Sequence, residues 1–252
     1  MKTLLVADVH ANLAALEAVL DAEGSWDRFV FLGDAVLAGP QPDEVLSLLH
    51  DVADVCLMGN HEREVLYLDV VCPGPPPGGL WKRWHREAVS SVNLAFMATF
   101  QEEAVIGEEG KYIHLEHGIL PRELGRRLWP DSGPEAFGYL SKRAETTWIA
   151  VAHSHVQFDT TREGIRFTNP GSAGTAYLGR PVSCYAVLTD GNLALRAVPY
   201  DIESTCQAMQ DRGDGVIDQA YIDEWKETWR TASLPARYGI RDYAPLREQG
   251  YR

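Results

Sequence analysis

Across these 252 residues, one short apolar run after another ends in side chains able to bind a metal. Asp8 and His10 close LLVADVH, Asp34 follows Gly33, and Asn60 and His61 follow Gly59. His117 precedes Gly118, and His153 and His155 close WIAVAHSH. Carboxylates, carboxamides and imidazoles are costly to bury without partners, so their recurrence at strand ends asks for a common partner. A pair of divalent cations is the economical answer. Mixed imidazole and carboxylate donors suit Zn, Mn, Fe or Ni, whereas Mg or Ca favours oxygen alone. In Asp8-x-His10 and His153-x-His155, an extended backbone would turn both side chains to one side, while a turn would re-aim each one separately.

The elements that must carry these donors are legible in outline. Leu13, Leu16, Val19 and Leu20 recur at helical spacing between Asn12, a plausible N-cap, and Gly24, a plausible stop. RFVFLGDA is a second strand. PQPDEVLSLLHDV is a second helix with Pro42 near its start, and DVCLMGNHE holds a third strand. Strand–helix–strand–helix–strand is the signature of a parallel α/β sheet, in which ligands bind beyond the carboxyl ends of the strands. CPGPPPGG (72–79) reads as a loop, and 80–105 as a helical segment bearing Trp81, Trp84, Val89, Val92, Phe96 and Phe100. Strands follow in KYIHLEHG, TWIAVAHSH, GIRFTNPGS, SCYAVLTDG and LALRAVPY, the last two joined by a hairpin at Asp190-Gly191-Asn192. Residues 201–230 read as helical again, and the last twenty as a surface wrap.

Taken singly, each motif has a plainer reading. Asp8 could belong to a helix N-cap region, Asp34 to a turn, and Asn60-His61 to a tight turn after glycine. His114 competes with His117, but only His117 stands at the strand's end before glycine. His50 and His85 read as structural or surface histidines, and the tryptophan stripes as packing. Asn169 and Ser172 in NPGS read as a strand-joining turn or as a wall of the substrate pocket.

Taken in order, D-V-H (8–10), G-D (33–34), G-N-H-E (59–62), H-G (117–118) and H-S-H (153–155) resemble the calcineurin-like metallophosphoesterase superfamily. GDAVLAGPQPDEVL, NPGSAG and SCYAVLTDG are similar to its small bacterial and archaeal phosphodiesterase branch, and the likeness spans about residues 3–200. The resemblance implies an α/β fold, a four-layer αββα sandwich of two mixed sheets flanked by helices. It assigns 1–200 to the metallophosphoesterase domain, with 80–105 as a helical insertion or cap. Residues 201–252 become a helical C-terminal extension on the same domain. It further implies two divalent ions, manganese first, with Fe, Zn, Ni or Co as alternatives. Asp8, His10 and His155 would hold one ion, Asn60, His117 and His153 the other, and Asp34 would bridge. His61 would be catalytic, near the leaving group. Two departures stand out: Ala152 replaces the usual glycine before H-x-H, and Glu62 replaces an aspartate that is common after G-N-H. After NPGS the branch often carries a basic residue. Here the stretch is AGTAYLGRP, which makes Tyr177 and Arg180, beside Asn169 and Ser172, the substrate-binding candidates.

The chemistry implied is hydrolysis of a phosphoester, most naturally a phosphodiester. Two ions ~3.5–4 Å apart share a bridging hydroxide that attacks phosphorus in line. Phosphomonoesterase, nucleotide pyrophosphatase and a non-catalytic metal-binding scaffold are the alternatives. A net charge of −13 argues against nucleic acid as partner, since sequence-independent binding leans on Lys and Arg. A small phosphoester or nucleotide-type substrate stays compatible, because about four positive charges would sit in the site itself. Four cysteines without a CxxC pair suggest reduced thiols and a cytoplasmic location. No run approaches the ~20 apolar residues of a membrane span. Oligomeric state is left open.

Overall fold

The computed structural model describes residues 1–68 and 78–233, and two mixed five-stranded sheets form its centre. The first contains β1 (Lys2–Val6), β2 (Arg28–Phe31), β3 (Val55–Cys56), β9 (Ser183–Thr189) and β10 (Asn192–Val198), in the order β10-β9-β1-β2-β3. β1, β2 and β3 are parallel, β9 runs antiparallel beside β1, and β10 pairs antiparallel with β9 at the edge. The second contains β4 (Glu103–Glu108), β5 (Lys111–Glu116), β6 (Trp148–Ala150), β7 (Phe158–Arg162) and β8 (Ile165–Asn169), in the order β4-β5-β6-β8-β7. β5, β6 and β8 are parallel in it, with antiparallel edges.

Strand periodicity decides the layers. Leu4, Val6, Phe29 and Phe31 face helices α1 (Leu13–Glu23) and α2 (Pro42–Val52), through Leu16, Val19, Val45 and Leu49. The alternate residues Leu5, Ala7, Val30 and Leu32 meet Ile113, Leu115, Trp148 and Ala150 between the sheets. On the far side, Ile149, Val151 and Phe167 pack against Phe137 and Leu140 of a helix at Pro134–Ser141. The result is the expected αββα stack. Asn12 caps α1 by accepting from the Ala15 N–H at 3.3 Å, and Gly24 closes it at φ 64°.

Three regions differ in detail from the sequence reading. The 80–105 segment is not one helix. It holds α3's successors α4 (Gly78–Ala88) and α5 (Ser91–Met97), α3 being Asn60–Leu66, and then β4 begins at Glu103. Ser90 breaks the helix because its hydroxyl accepts from the Asn93 N–H at 3.2 Å, starting α5 afresh. The two glycines ending CPGPPPGG open α4; the rest of that predicted loop, with Cys72, lies outside the described residues. The helical stretch after 201 is likewise two helices, Ile202–Gly213 and Gln219–Thr231, and the predicted wrap of the last twenty residues lies outside the described residues.

Those two helices bear on the site. Met209, Ile222, Trp225 and Trp229 form an apolar cluster with Trp81 of α4. Thr205 donates to Asn12 Oδ1 at 2.8 Å, and Arg212 donates to the Pro40 carbonyl at 3.0 Å while pairing with Glu44. Trp81 Nε1 donates to the Ala38 carbonyl at 3.1 Å. The tryptophan stripes are therefore packing, and they press on the loop that follows Asp34.

Candidate active site

The donors converge where both sheets end. Asp8 lies just past β1, Asp34 past β2, Asn60 at the first turn of α3 after β3, His117 directly after β5, and His153 and His155 after β6. Three groups lie close enough to share a cation: Asp8, His10 and His155; His10, Asp34 and His61; and Asp34, His117 and His153, with ligand atoms within 4.8 Å of one another in each. One oxygen is common to the last two groups' close contacts. Asp34 Oδ2 is 3.2 Å from His117 Nε2, 3.9 Å from His61 Nε2 and 4.0 Å from His10 Nε2. Asp8 Oδ1 is 3.3 Å from His155 Nε2.

The backbone that aims these groups is not extended. Asp8 (φ 52°), His10 (50°), Asp34 (64°), His153 (66°) and His155 (63°) all take left-handed geometry. Each costs on the order of 1–3 kcal/mol for a residue with a Cβ, so the surroundings must impose it. They do so through a stitched set of loops. The Asp8 N–H donates to the Gly33 carbonyl at 2.9 Å, and the His10 N–H to the Asp34 carbonyl at 2.9 Å. Glu62, fully buried, accepts from the backbone N–H groups of Asp34 (2.9 Å), Ala35 (2.5 Å) and Gly59 (2.8 Å). Gly59 must be glycine, because a Cβ there would collide with Asp34 Oδ1. Gly33, at φ 100°, would put a Cβ 2.7 Å from His117 Nδ1.

Three imidazoles are oriented alike. Nδ1 faces the Val36 carbonyl in His10 (3.3 Å), the Leu32 carbonyl in His117 (2.7 Å) and the Thr175 carbonyl in His155 (2.8 Å). A carbonyl only accepts, so Nδ1 carries a proton in each ring and Nε2 is aimed into the cluster, where it becomes a metal ligand once it holds no proton. His10 Nε2 and His155 Nε2 stand 3.1 Å apart. Burial holds His10 down to about 3 and His155 well below the usual range, so both rings are neutral and their lone pairs oppose each other. Burial also pushes Asp8 up to about 8, with Asp34 adding to the effect. Burial opposes the charged form of His117, yet the Asp34 and Asp8 carboxylates outweigh it and raise the ring to about 9. Asp34 itself stays well below the usual carboxylate range: burial works against ionisation, and His117 and His61 overcome it.

The donor set fits divalent cations on this evidence. Asp8 Oδ1 and Asn60 Oδ1 are buried without a hydrogen-bond partner among the described residues, and two neutral imidazoles face each other. Divalent cations held in this cluster would satisfy these groups. His61 differs from its neighbours. Its backbone N–H donates to Asp34 Oδ1 at 2.9 Å, its Nδ1 lies 3.7 Å from Glu64, and its side chain is 27% exposed, at the mouth. Ala152 costs nothing visible; its methyl sits in the layer between the sheets.

The substrate-binding candidates separate. Asn169 and Ser172 are fully buried and spent on the protein: Asn169 donates to the Ala152 carbonyl (2.9 Å) and Ser154 (3.0 Å), and Ser172 donates to the Asp8 carbonyl (2.7 Å). They pin the Asp8 and His153–His155 loops to each other. Tyr177, half-buried, stacks on His155 with centroids 4.5 Å apart and planes at 7°. Arg180 is exposed, and no described hydrogen bond or ion pair joins it to the cluster. Two residues close to the site were given no role from sequence. The bonding of Glu62 needed the fold to be seen. Arg127, whose Nε donates to the His153 carbonyl at 3.0 Å, was signalled only by a basic pair shortly after the H-G motif. His114 lies 3.5 Å from Glu116 and apart from the cluster, and His85 is buried beneath the Leu37 N–H.

Comparison with known proteins agrees with this geometry. Residues 1–192 match the calcineurin-like phosphoesterase superfamily domain, and the chain belongs to that family; it is a metal-dependent phosphoester hydrolase. An uncharacterized protein of Methanocaldococcus jannaschii is 27% identical over 219 residues, covering 79% of this chain and 88% of the relative. A metallophosphoesterase from Sphaerobacter thermophilus has a similar fold, with TM-score 0.73, 22% identity, and 92% and 99% of the two chains covered. So does a hypothetical protein from Pyrococcus horikoshii, with TM-score 0.72, 17% identity, and 89% and 97% covered. No helix among the described residues is long and apolar enough to cross a membrane.

Proposed function

We propose that the chain is a phosphodiesterase acting on a small phosphoester or nucleotide-type substrate with two divalent cations, manganese preferred, in the cytoplasm. Asp8, His10 and His155 would hold one cation, Asn60, His117 and His153 the other, and Asp34 would lie between them. The observation that carries this reading is the place of Asp34 Oδ2, within 4.0 Å of imidazoles from both sets. Bound cations supply an acidified water as nucleophile and offset the charge that builds on the phosphoryl oxygens. The chain's own residues do the rest. Glu62 and Gly59 hold the Asp34 loop, and the backbone carbonyls of Val36, Leu32 and Thr175 fix the imidazole tautomers. His61, the half-buried member of the cluster, gives a proton to the departing oxygen, a role typically worth ~10²–10⁴-fold.

The test is hydrolysis of bis(p-nitrophenyl) phosphate by protein reconstituted with Mn²⁺, Ni²⁺, Co²⁺ or Zn²⁺, beside p-nitrophenyl phosphate as the monoester control. Diester turnover should exceed monoester turnover. His61→Ala should lose activity by the factor above and keep its metal, and Asp34→Asn should lose both. Absence of turnover with every metal sinks the proposal, and faster monoester hydrolysis moves it to a phosphomonoesterase.

A further inference from the structure

We infer that Arg127 is the substrate-gripping cation of this site and that it selects compact phosphodiesters whose far half carries no extra negative charge. The inference rests on the phosphoesterase reading and goes beyond its residue set. Arg127 follows the 3₁₀ turn Arg122–Leu124, in the chain leaving His117, and is half-buried. Its Nε donates backward to the His153 carbonyl at 3.0 Å. That bond uses one of the five guanidinium N–H groups and fixes the plane of the fork, leaving four donors for an anion.

No carboxylate among the described residues lies within ion-pair distance of it. In a chain of net charge −13, a half-buried arginine left without an acid partner beside a cluster of metal donors is placed for an anion from outside.

The surroundings limit what that anion can be. Arg127 borders a cavity of about 320 Å³ with Trp129, Glu123, Asp131 and Glu135. Trp129 in turn packs on Val156, directly after His155, and Arg127 itself reaches from this cavity to the His153 carbonyl. A phosphoryl group reaching Arg127 sends its organic half toward Trp129 and the three carboxylates. Carboxylates accept hydrogen bonds from hydroxyl or amino groups and repel further phosphates. The chemistry recognised is one phosphodiester with a neutral, hydrogen-bonding far group of sugar or base type, rather than a polyphosphate chain.

The experiment uses the full chain loaded with Mn²⁺ and inorganic phosphate as the probe, read by calorimetry, so it does not depend on turnover. Arg127→Met should weaken phosphate binding about 10–100-fold, the range for losing a charged hydrogen-bonding partner, while Mn content stays at the wild-type level. Arg127→Lys should recover part of that loss. Kd within twofold of wild type, no phosphate binding by wild type, or loss of Mn from Arg127→Met each overturns the inference; the last would make Arg127 a brace for the His153 loop. Weakened phosphate binding in a protein without turnover would keep Arg127 as an anion site and remove the hydrolase reading. Turnover with unchanged phosphate binding would do the reverse. Among active proteins, wild type should hydrolyse a diester with a neutral far group at higher kcat/KM than one bearing a second phosphate, and Arg127→Met should narrow that ratio; the opposite preference in wild type overturns the selectivity.

Discussion

Glu62 offers the sharpest test of how this site is held together. Its carboxylate touches no other side chain in a described hydrogen bond, but it accepts three backbone N–H groups, from Asp34, Ala35 and Gly59. Glu62→Ala leaves three buried donors without acceptors. Each such orphan costs about 1–3 kcal/mol, and because the three share one loop the sum is not additive. A net loss of about 3–5 kcal/mol is expected, close to that for breaking other buried charged networks. At roughly 2–4 °C per kcal/mol for a chain of this size, Tm should fall by about 6–20 °C. The same loop holds Asp34 at its left-handed φ of 64°, so Mn²⁺ affinity should fall with it. Chemical denaturation of the apo protein gives the first number and metal titration the second. Glu62→Gln keeps one acceptor oxygen and should lie between wild type and Glu62→Ala in both. A Glu62→Ala protein within 1 kcal/mol of wild type, or one that binds Mn²⁺ unchanged, would refute the claim that this carboxylate holds the Asp34 loop in place.

Other outcomes follow from the same geometry. Asp8, raised to about 8, and His117, raised to about 9, both bind protons more tightly folded than unfolded. Their linkage therefore favours the apo protein at low pH. The Asp8 contribution is lost as pH rises from about 4 to 8, and that of His117 from about 6.5 to 9. Because both must be deprotonated to bind a cation, Mn²⁺ uptake at pH 7 should release protons, and the release should vanish above about pH 9. Calorimetry in two buffers of different ionisation enthalpy measures this, and proton uptake would contradict it. Gly59→Ala, whose Cβ meets Asp34 Oδ1, should lower Mn²⁺ affinity by more than tenfold, read by the same metal titration. Trp81→Ala removes the side chain shared by α4 and the two C-terminal helices and should cost about 3–5 kcal/mol in urea denaturation.

Much of the site was legible because its residues stand in short motifs at strand ends, and each type is expensive to bury without a purpose. The structure brings Asp8, His10, Asp34, Asn60, His61, His117, His153 and His155 to one edge. The backbone that aims them was not legible. Nothing in Asp8-x-His10 or His153-x-His155 reveals that all four residues are left-handed, since that geometry is imposed by hydrogen bonds from loops distant in sequence. β7, with the sequence FDTTR, escaped notice because it is a polar edge strand whose inward face is mainly Phe158. β4 was absorbed into the helix before it, since EAVIGE follows a run with helical spacing. Asn169 and Ser172 read as a strand-joining turn or a pocket wall, and only the fold shows that they bond to loop backbones inside the protein. Arg127 could not be found from spacing at all, because its place beside His153 is a tertiary fact.

The central claim is that Asp34 joins two cation sites, each built from the ends of both sheets. Anomalous diffraction at the manganese edge, from crystals grown with Mn²⁺, tests it most directly. The expected map has two peaks, both within bonding distance of Asp34, one also touching Asp8, His10 and His155 and the other Asn60, His117 and His153. A single peak, or two of which one leaves Asp34 untouched, would contradict the account.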